Sequence, residues 1–136
     1  MSVIKNKREE SKMQFLETAS RIHIYTIKQV IKFPKKYTFY VSQKVASCAS
    51  DAYAFVKRGN SIYPTNAHEV QMRRDFFLQA YAEYQNLISQ INIAYNLFPI
   101  QENTMINWMS LINDELRLLK SVLKNDKTRY KNLLGF

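Results

Sequence analysis

The chain has 136 residues and 46% hydrophobic content, enough for one core and too little for two independent ones. Its formal charge of +9 predicts attraction to polyanions, while the presence of only two glycines, Gly59 and Gly135, argues against a turn-rich all-β fold. A single cysteine, Cys48, excludes an internal disulfide and a multi-cysteine zinc site and favours a reducing cytoplasm.

The opening stretch "MSVIKNKREESK" is charged with no apolar run behind it, so no signal peptide is expected. Nor does any stretch of about 18 uncharged apolar residues suggest a membrane span. Three prolines, Pro34, Pro64 and Pro99, divide the chain into segments of helix length. The first helix is expected over about 12–32, opening with Ser11-x-x-Gln14 as a capping box and placing Met13, Leu16, Ile24, Ile27 and Ile31 on one face.

The next stretch, "KFPKKYTFYVSQK", has the aromatic and β-branched content of a strand. However, Val41, Val45, Cys48, Ala52 and Phe55 recur at three- and four-residue steps, which strand alternation cannot produce. "TFYV" is therefore read as the first turn of a second helix over about 36–58, with Gly59-Asn60 as its stop. A second stripe, Ser42, Ala46, Ala49, Tyr53 and Val56, makes its buried face wide.

The third helix, over about 67–98, keeps the helical period through Val70, Arg73, Phe77, Ala80, Tyr84, Leu87, Ile91, Ala94 and Phe98. The fourth, over about 103–125, carries Met105, Met109, Ile112, Leu116, Leu119 and Leu123, flanked by Trp108, Leu111, Leu118 and Val122. Residues 1–10 and the basic tail 126–136 are expected to be loosely held. Four amphipathic helices with short loops predict an all-α, antiparallel up-down-up-down four-helix bundle in a single domain, 1–136.

Charge is segregated along this plan. Residues 28–58 carry seven Lys or Arg and one acid, and 117–136 carry six and one, whereas 59–116 carry two and six. In an antiparallel bundle one end gathers Lys5, Lys7, Arg8, Lys12, Lys57, Arg58, Arg73, Arg74, Lys120, Lys124, Lys127, Arg129 and Lys131. The other gathers Lys28, Lys32, Lys35, Lys36 and Lys44. The candidate polyanion-binding residues are Lys35, Lys36, Lys44, Lys57, Arg58, Arg73, Arg74, Lys120 and Lys124. Aromatic contacts are expected from Tyr37, Tyr40, Tyr63 and Tyr130, which lie beside lysines or in loops. From Tyr84 to Gln101 there is no charge, and Tyr81, Tyr84 and Tyr95 lie in or beside that stretch, a composition that suggests a homo-oligomer interface.

Nothing in the sequence specifies a catalytic centre, a metal site or a cofactor. His23 and His68 lack a companion ligand at helical spacing, "HEVQM" has Met72 where a zincin needs its second histidine, and no Gly-rich phosphate loop occurs. Asp51, Asp75, Glu83, Asp114 and Glu115 could meet in space, but spacing pairs only Asp114 with Arg117. A non-enzymatic protein is expected.

"KFPKKYTFYVSQKV" resembles the Phe-Pro, basic, aromatic junction of the Avd-like four-helix-bundle proteins, the accessory variability determinants of diversity-generating retroelements. The rRNA intervening-sequence four-helix-bundle proteins are related to that family. Phe33, Pro34, Lys35, Phe39, Val41, Lys44 and Val45 fall on its pattern, while Thr38 stands where a basic residue is common; "TNAHEVQMRRDF" and "KNDKTRYK" are also similar. The resemblance spans residues 13–125 and implies a pentameric, basic bundle that binds RNA or DNA together with a reverse transcriptase during mutagenic complementary-DNA synthesis. An rRNA-associated or orphan protein-interaction bundle is the alternative it leaves open.

Overall fold

A computed structural model describes residues 3–134, with side chains described over 14–133. Among these residues all regular structure is helical. The elements are α1 (Val3–Val30), a 3-10 turn (Lys35–Tyr37), a π-wound turn (Thr38–Ser42), α2 (Gln43–Asn60), α3 (Ala67–Leu97), α4 (Glu102–Arg129) and a short α5 (Lys131–Leu134). Successive long helices pack on one another, and α1 closes the ring against α4, so the expected four-helix bundle is the architecture observed.

Contacts far apart in sequence fix the alternating directions. Phe15 of α1 meets Phe77 of α3 edge-on, with ring centroids 5.8 Å apart. Tyr25 Oη donates to the Thr104 carbonyl (3.2 Å), and the Trp108 indole N–H donates to Thr26 Oγ1 (3.0 Å), tying the end of α1 to the start of α4. At the opposite end Arg73 of α3 pairs with Asp126 of α4. We call the end holding the α1–α2 connection the junction end, and the other the tail end.

Several boundaries differ from expectation. The backbone of α1 is helical from Val3, so the helix does not begin at residue 12. The Ser11 capping box, Met13 and the cations Lys5, Lys7, Arg8 and Lys12 lie outside the residues whose side chains are described. The stretch 126–134 is helical rather than a loose tail, because Asp126 is a buried partner of Arg73 and holds the last turn of α4 to the bundle. At the same end of the bundle, α3 opens on a reciprocal cap. Asn66 Oδ1 accepts from the Glu69 N–H (2.9 Å), while Glu69 Oε1 accepts from the Thr65 hydroxyl and N–H. Those two bonds, the hydroxyl first, hold the Glu69 carboxyl below its usual range.

Gly59 is not a left-handed stop. It lies inside α2, and a Cβ there would sit 2.7 Å from the Phe77 ring, so the glycine is used for close approach of α2 to α3.

The face of α3 is buried as the period predicts, from Val70 through Ala94. In α1 the prediction holds only for Leu16, which packs partly buried against the core. The buried face is Phe15, Thr18, Ala19, Ile22 and Thr26, and Ile24, Ile27 and Ile31 point to solvent. Both sets satisfy helical spacing; the first is the one that packs Phe15 on Phe77 and gives the buried Trp108 indole N–H its acceptor, Thr26. In α4 the central line is Trp108, Ile112, Glu115 and Leu119, with Met105, Met109, Leu116 and Leu123 as partly buried flanks.

Glu115 is wholly buried, and among the described residues neither its carboxyl oxygens nor the Tyr84 hydroxyl beside it has a hydrogen-bond partner. Burial pushes the Glu115 carboxyl up to about 9, so it is neutral at pH 7. The Tyr84 phenol is raised by burial and then by the proximity of Glu115.

Candidate nucleic-acid interface

The junction end is shaped by proline and aromatics. Pro34 cannot continue the hydrogen-bond ladder and holds the residue before it away from α geometry, so α1 tightens into turns after Val30. Phe33 then packs inward, 4.7 Å from the Phe98 ring and 6.3 Å from Trp108, and Tyr37 stacks on the other side of Phe98 at 5.3 Å. With Phe33 and Tyr37 pinned, the intervening Lys35 and Lys36 are left facing solvent. Thr38 Oγ1 donates to the Lys35 carbonyl (2.8 Å), closing the turn, and Lys36 Nζ lies 5.3 Å from the Tyr37 ring centroid.

"TFYV" is helical, as read from the period, but wound one residue wider than an α-turn. Val41 enters the core, whereas Phe39 and Tyr40 remain 73% and 75% exposed. Lys28 from α1, Lys32 from the turn after it, Lys35 and Lys36 from the 3-10 turn and Lys44 from α2 all reach solvent at this end. Among the described residues none of the five lies within ion-pair distance of a carboxylate.

At the tail end the predicted residues divide. Lys57, Arg58, Lys120 and Lys124 are exposed and Arg74 is half-exposed. Arg58 lies over the Phe55 ring (5.7 Å) and Lys120 over Tyr81 (5.6 Å), contacts that restrain the side chains without neutralising them. Arg73 is the correction. It is only 6% exposed, and its Nε donates to Asp126 Oδ2 (2.7 Å) while Nη1 donates to the Gly59 and Ile62 carbonyls (3.3 and 3.2 Å). Its guanidinium also lies over Phe77 (4.8 Å). A cation so enclosed binds the loop after α2 to the end of α4 and offers nothing to a polyanion.

The candidate cations thus form two groups towards opposite ends, about 20 Å apart at their nearest, Lys44 to Lys57 along α2. Of the aromatics expected to make contact, Tyr40 and Tyr63 are exposed, Tyr37 is stacked on Phe98, and Tyr130 is half-buried with Arg73 and Arg129 each 5.9 Å from its ring. Phe39, matched to the family pattern but absent from the expected contact aromatics, is exposed as well; its place between lysines in a turn is the sequence signal for it. The line Ile24, Ile27 and Ile31, expected in the core, is surface too.

The groups weighed for chemistry are placed as follows. His23 lies half-buried with its ring 5.5 Å from Tyr53, and His68 is exposed. Cys48 is buried, accepts from Asn86 Nδ2 at 3.3 Å, and has its thiol pushed up to about 12 by burial and then by Glu83, so it stays protonated. Arg117 pairs with Asp114, as their spacing predicts. Among the described residues no three His, Cys, Asp or Glu side chains gather as a metal site would require, and no helix is long and apolar enough to cross a membrane. Comparison with protein-family models, with curated proteins and with solved structures finds no match for this chain.

Proposed function

We propose that this chain is a non-enzymatic, basic accessory protein that binds RNA or DNA, acting beside a reverse transcriptase as a homo-oligomer in the cytoplasm. One observation carries the polyanion part of this reading: five lysines reach solvent at the junction end without a carboxylate partner among the described residues, around two exposed aromatic rings. Cations at a helix end are favoured by the helix dipole alone. That effect accounts for Lys28 at the end of α1 but not for Lys35, Lys36 and Lys44 at the beginning of the next helical segment, where the dipole opposes them.

The reverse transcriptase, the pentamer and the role in mutagenic complementary-DNA synthesis are proposed from the resemblance at Phe33-Pro34-Lys35 and its flanks. Self-association is supported by two surfaces: the outward isoleucines of α1, and the charge-free exposed side of α3 at Gln85, Asn86, Ser89 and Ile93. The same isoleucines favour a second reading, a protein-interaction bundle of the rRNA-associated or orphan kind, in which the partner is another protein.

Titration of the full chain with RNA across a salt series separates the two. The proposal expects log affinity to fall linearly with log salt, and Lys35→Gln, Lys36→Gln and Lys44→Gln together to reduce that slope by about 2 to 3. Absence of binding at low salt, or salt-independent binding, supports the protein-partner reading instead. Monomeric light scattering at micromolar concentration contradicts the oligomer.

A further inference from the structure

We infer that Phe39 and Tyr40 are base-stacking platforms, so that the polynucleotide held at the junction end is single-stranded. The inference rests on the polyanion reading above and narrows it to a substrate class. The π-wound turn sends Val41 into the core and leaves the two preceding rings in water, 73% and 75% exposed. Neither ring enters any ring–ring or cation–ring contact among the described residues, in contrast with Tyr37 next to them, which is stacked on Phe98 under Lys36. Phe39 and Tyr40 thus contribute little to the bundle that holds them.

Their surroundings suit one kind of occupant. Lys35 and Lys36 precede the rings and Lys44 follows one turn later, so cations flank the aromatic pair on both sides along the chain. A single strand presents both phosphates and free base faces, and stacking on aromatics accepts any base. A duplex hides its base faces and would leave the rings unused. An anionic lipid surface would call for a continuous apolar helix face; the exposed Ile24, Ile27 and Ile31 offer one before the turn, but α2 beyond it presents Gln43, Ser47, Ser50 and Asp51 to solvent, so an anionic vesicle is the competing probe in the test.

The test uses the full chain, an oligouridylate of about 16 nucleotides and an RNA duplex of equal length, followed by fluorescence anisotropy at fixed salt. The expected result is tighter binding of the single strand. Phe39→Ala and Tyr40→Ala should each weaken it by about fivefold or more, with the salt slope unchanged and the duplex affected less than about twofold. Tyr40→Phe should retain affinity, since it keeps the stacking face. Both positions are exposed, so the alanine variants should melt at the wild-type temperature, which shows that any loss is not unfolding. Single-strand affinity untouched by both alanine variants overturns the inference, as does a preference for duplex. It is overturned equally if those variants lose anionic-vesicle binding or self-association and keep the RNA. Wild-type protein that binds neither probe overturns the polyanion reading itself, and this inference with it.

Discussion

The two ends of the bundle are both rich in cations and aromatics, yet they use them differently. At the tail end Lys57, Arg58, Lys120 and Lys124 stay exposed but one guanidinium is drawn inside: Arg73 lies near the Phe77 and Tyr130 rings, bonded to Asp126 and to the carbonyls of Gly59 in the last turn of α2 and Ile62 just beyond it. At the junction end the aromatics divide the work. Phe33 and Tyr37 pack against Phe98 and lock the turn, and that lock holds Lys35, Lys36, Phe39 and Tyr40 out in solvent. Positive charge by itself therefore does not mark a binding surface; the partner that charge already has inside the protein decides. A buried, paired cation is held for structure because removing its partner is expensive, whereas an unpaired exposed lysine contributes little to stability and remains available.

The largest effect expected from this contrast is at Arg73. Arg73→Ala leaves Asp126 buried without a counter-charge and should cost about 3–5 kcal/mol in urea unfolding. Replacing Lys35 or Lys36 by glutamine should change stability by less than about 0.5 kcal/mol. Equal costs at the two ends would break the comparison.

Nearly as large, and independent of either end, is the effect of pH on Glu115. Its carboxyl titrates near 4.3 when unfolded and at about 9 in the bundle, so between those values the folded state binds one proton more. Stability should then fall as pH rises, by about 1.4 kcal/mol per pH unit. Tyr84 of α3 faces the carboxyl, with Tyr53 of α2 beyond it. Glu115→Gln should flatten the dependence between pH 5 and pH 8 and stabilise the protein at the upper end of that range, as read by urea midpoints, while leaving RNA affinity at both ends unchanged.

Gly59→Ala should have a smaller effect, roughly 1–3 kcal/mol, because the added methyl meets the Phe77 ring edge and α2 must shift from α3 to admit it. Thermal melting would measure it. An unchanged midpoint would show that the tail end is more loosely packed than the Arg73 enclosure implies.

The helix order, the short connections and the whole buried face of α3 were legible in the sequence, because a period sustained over many turns has only one solution. Where two faces met the period equally, composition misled. Ile24, Ile27 and Ile31 outweigh Ala19, Ile22 and Thr26 in hydrophobicity, yet contacts far along the chain, Phe15 on Phe77 and Thr26 as acceptor for the Trp108 N–H, go with burial of the second set.

The same limit applied to the candidate site. The exposure of Lys35 and Lys36 is legible because local residues, Pro34 above all, determine it. Arg73 was misplaced because its partner Asp126 lies 53 residues on, in a segment read as a loose tail. Gly59 read as a stop because a glycine near a helix end ordinarily is one, and nothing local announces that Phe77 will press against it. Phe39 and Tyr40 sit on a π-wound turn that periodicity could not distinguish from an α-turn.

The most direct test of the claim that the junction end is the polyanion surface is an amide-resolved NMR titration of the full chain with a short single-stranded RNA. The structure and charge distribution predict shift changes concentrated at residues 28–44, with Lys35, Lys36, Phe39, Tyr40 and Lys44 among the strongest and the Arg73 region silent. Changes confined to residues 57–74 and 120–131, with 28–44 unmoved, would contradict it.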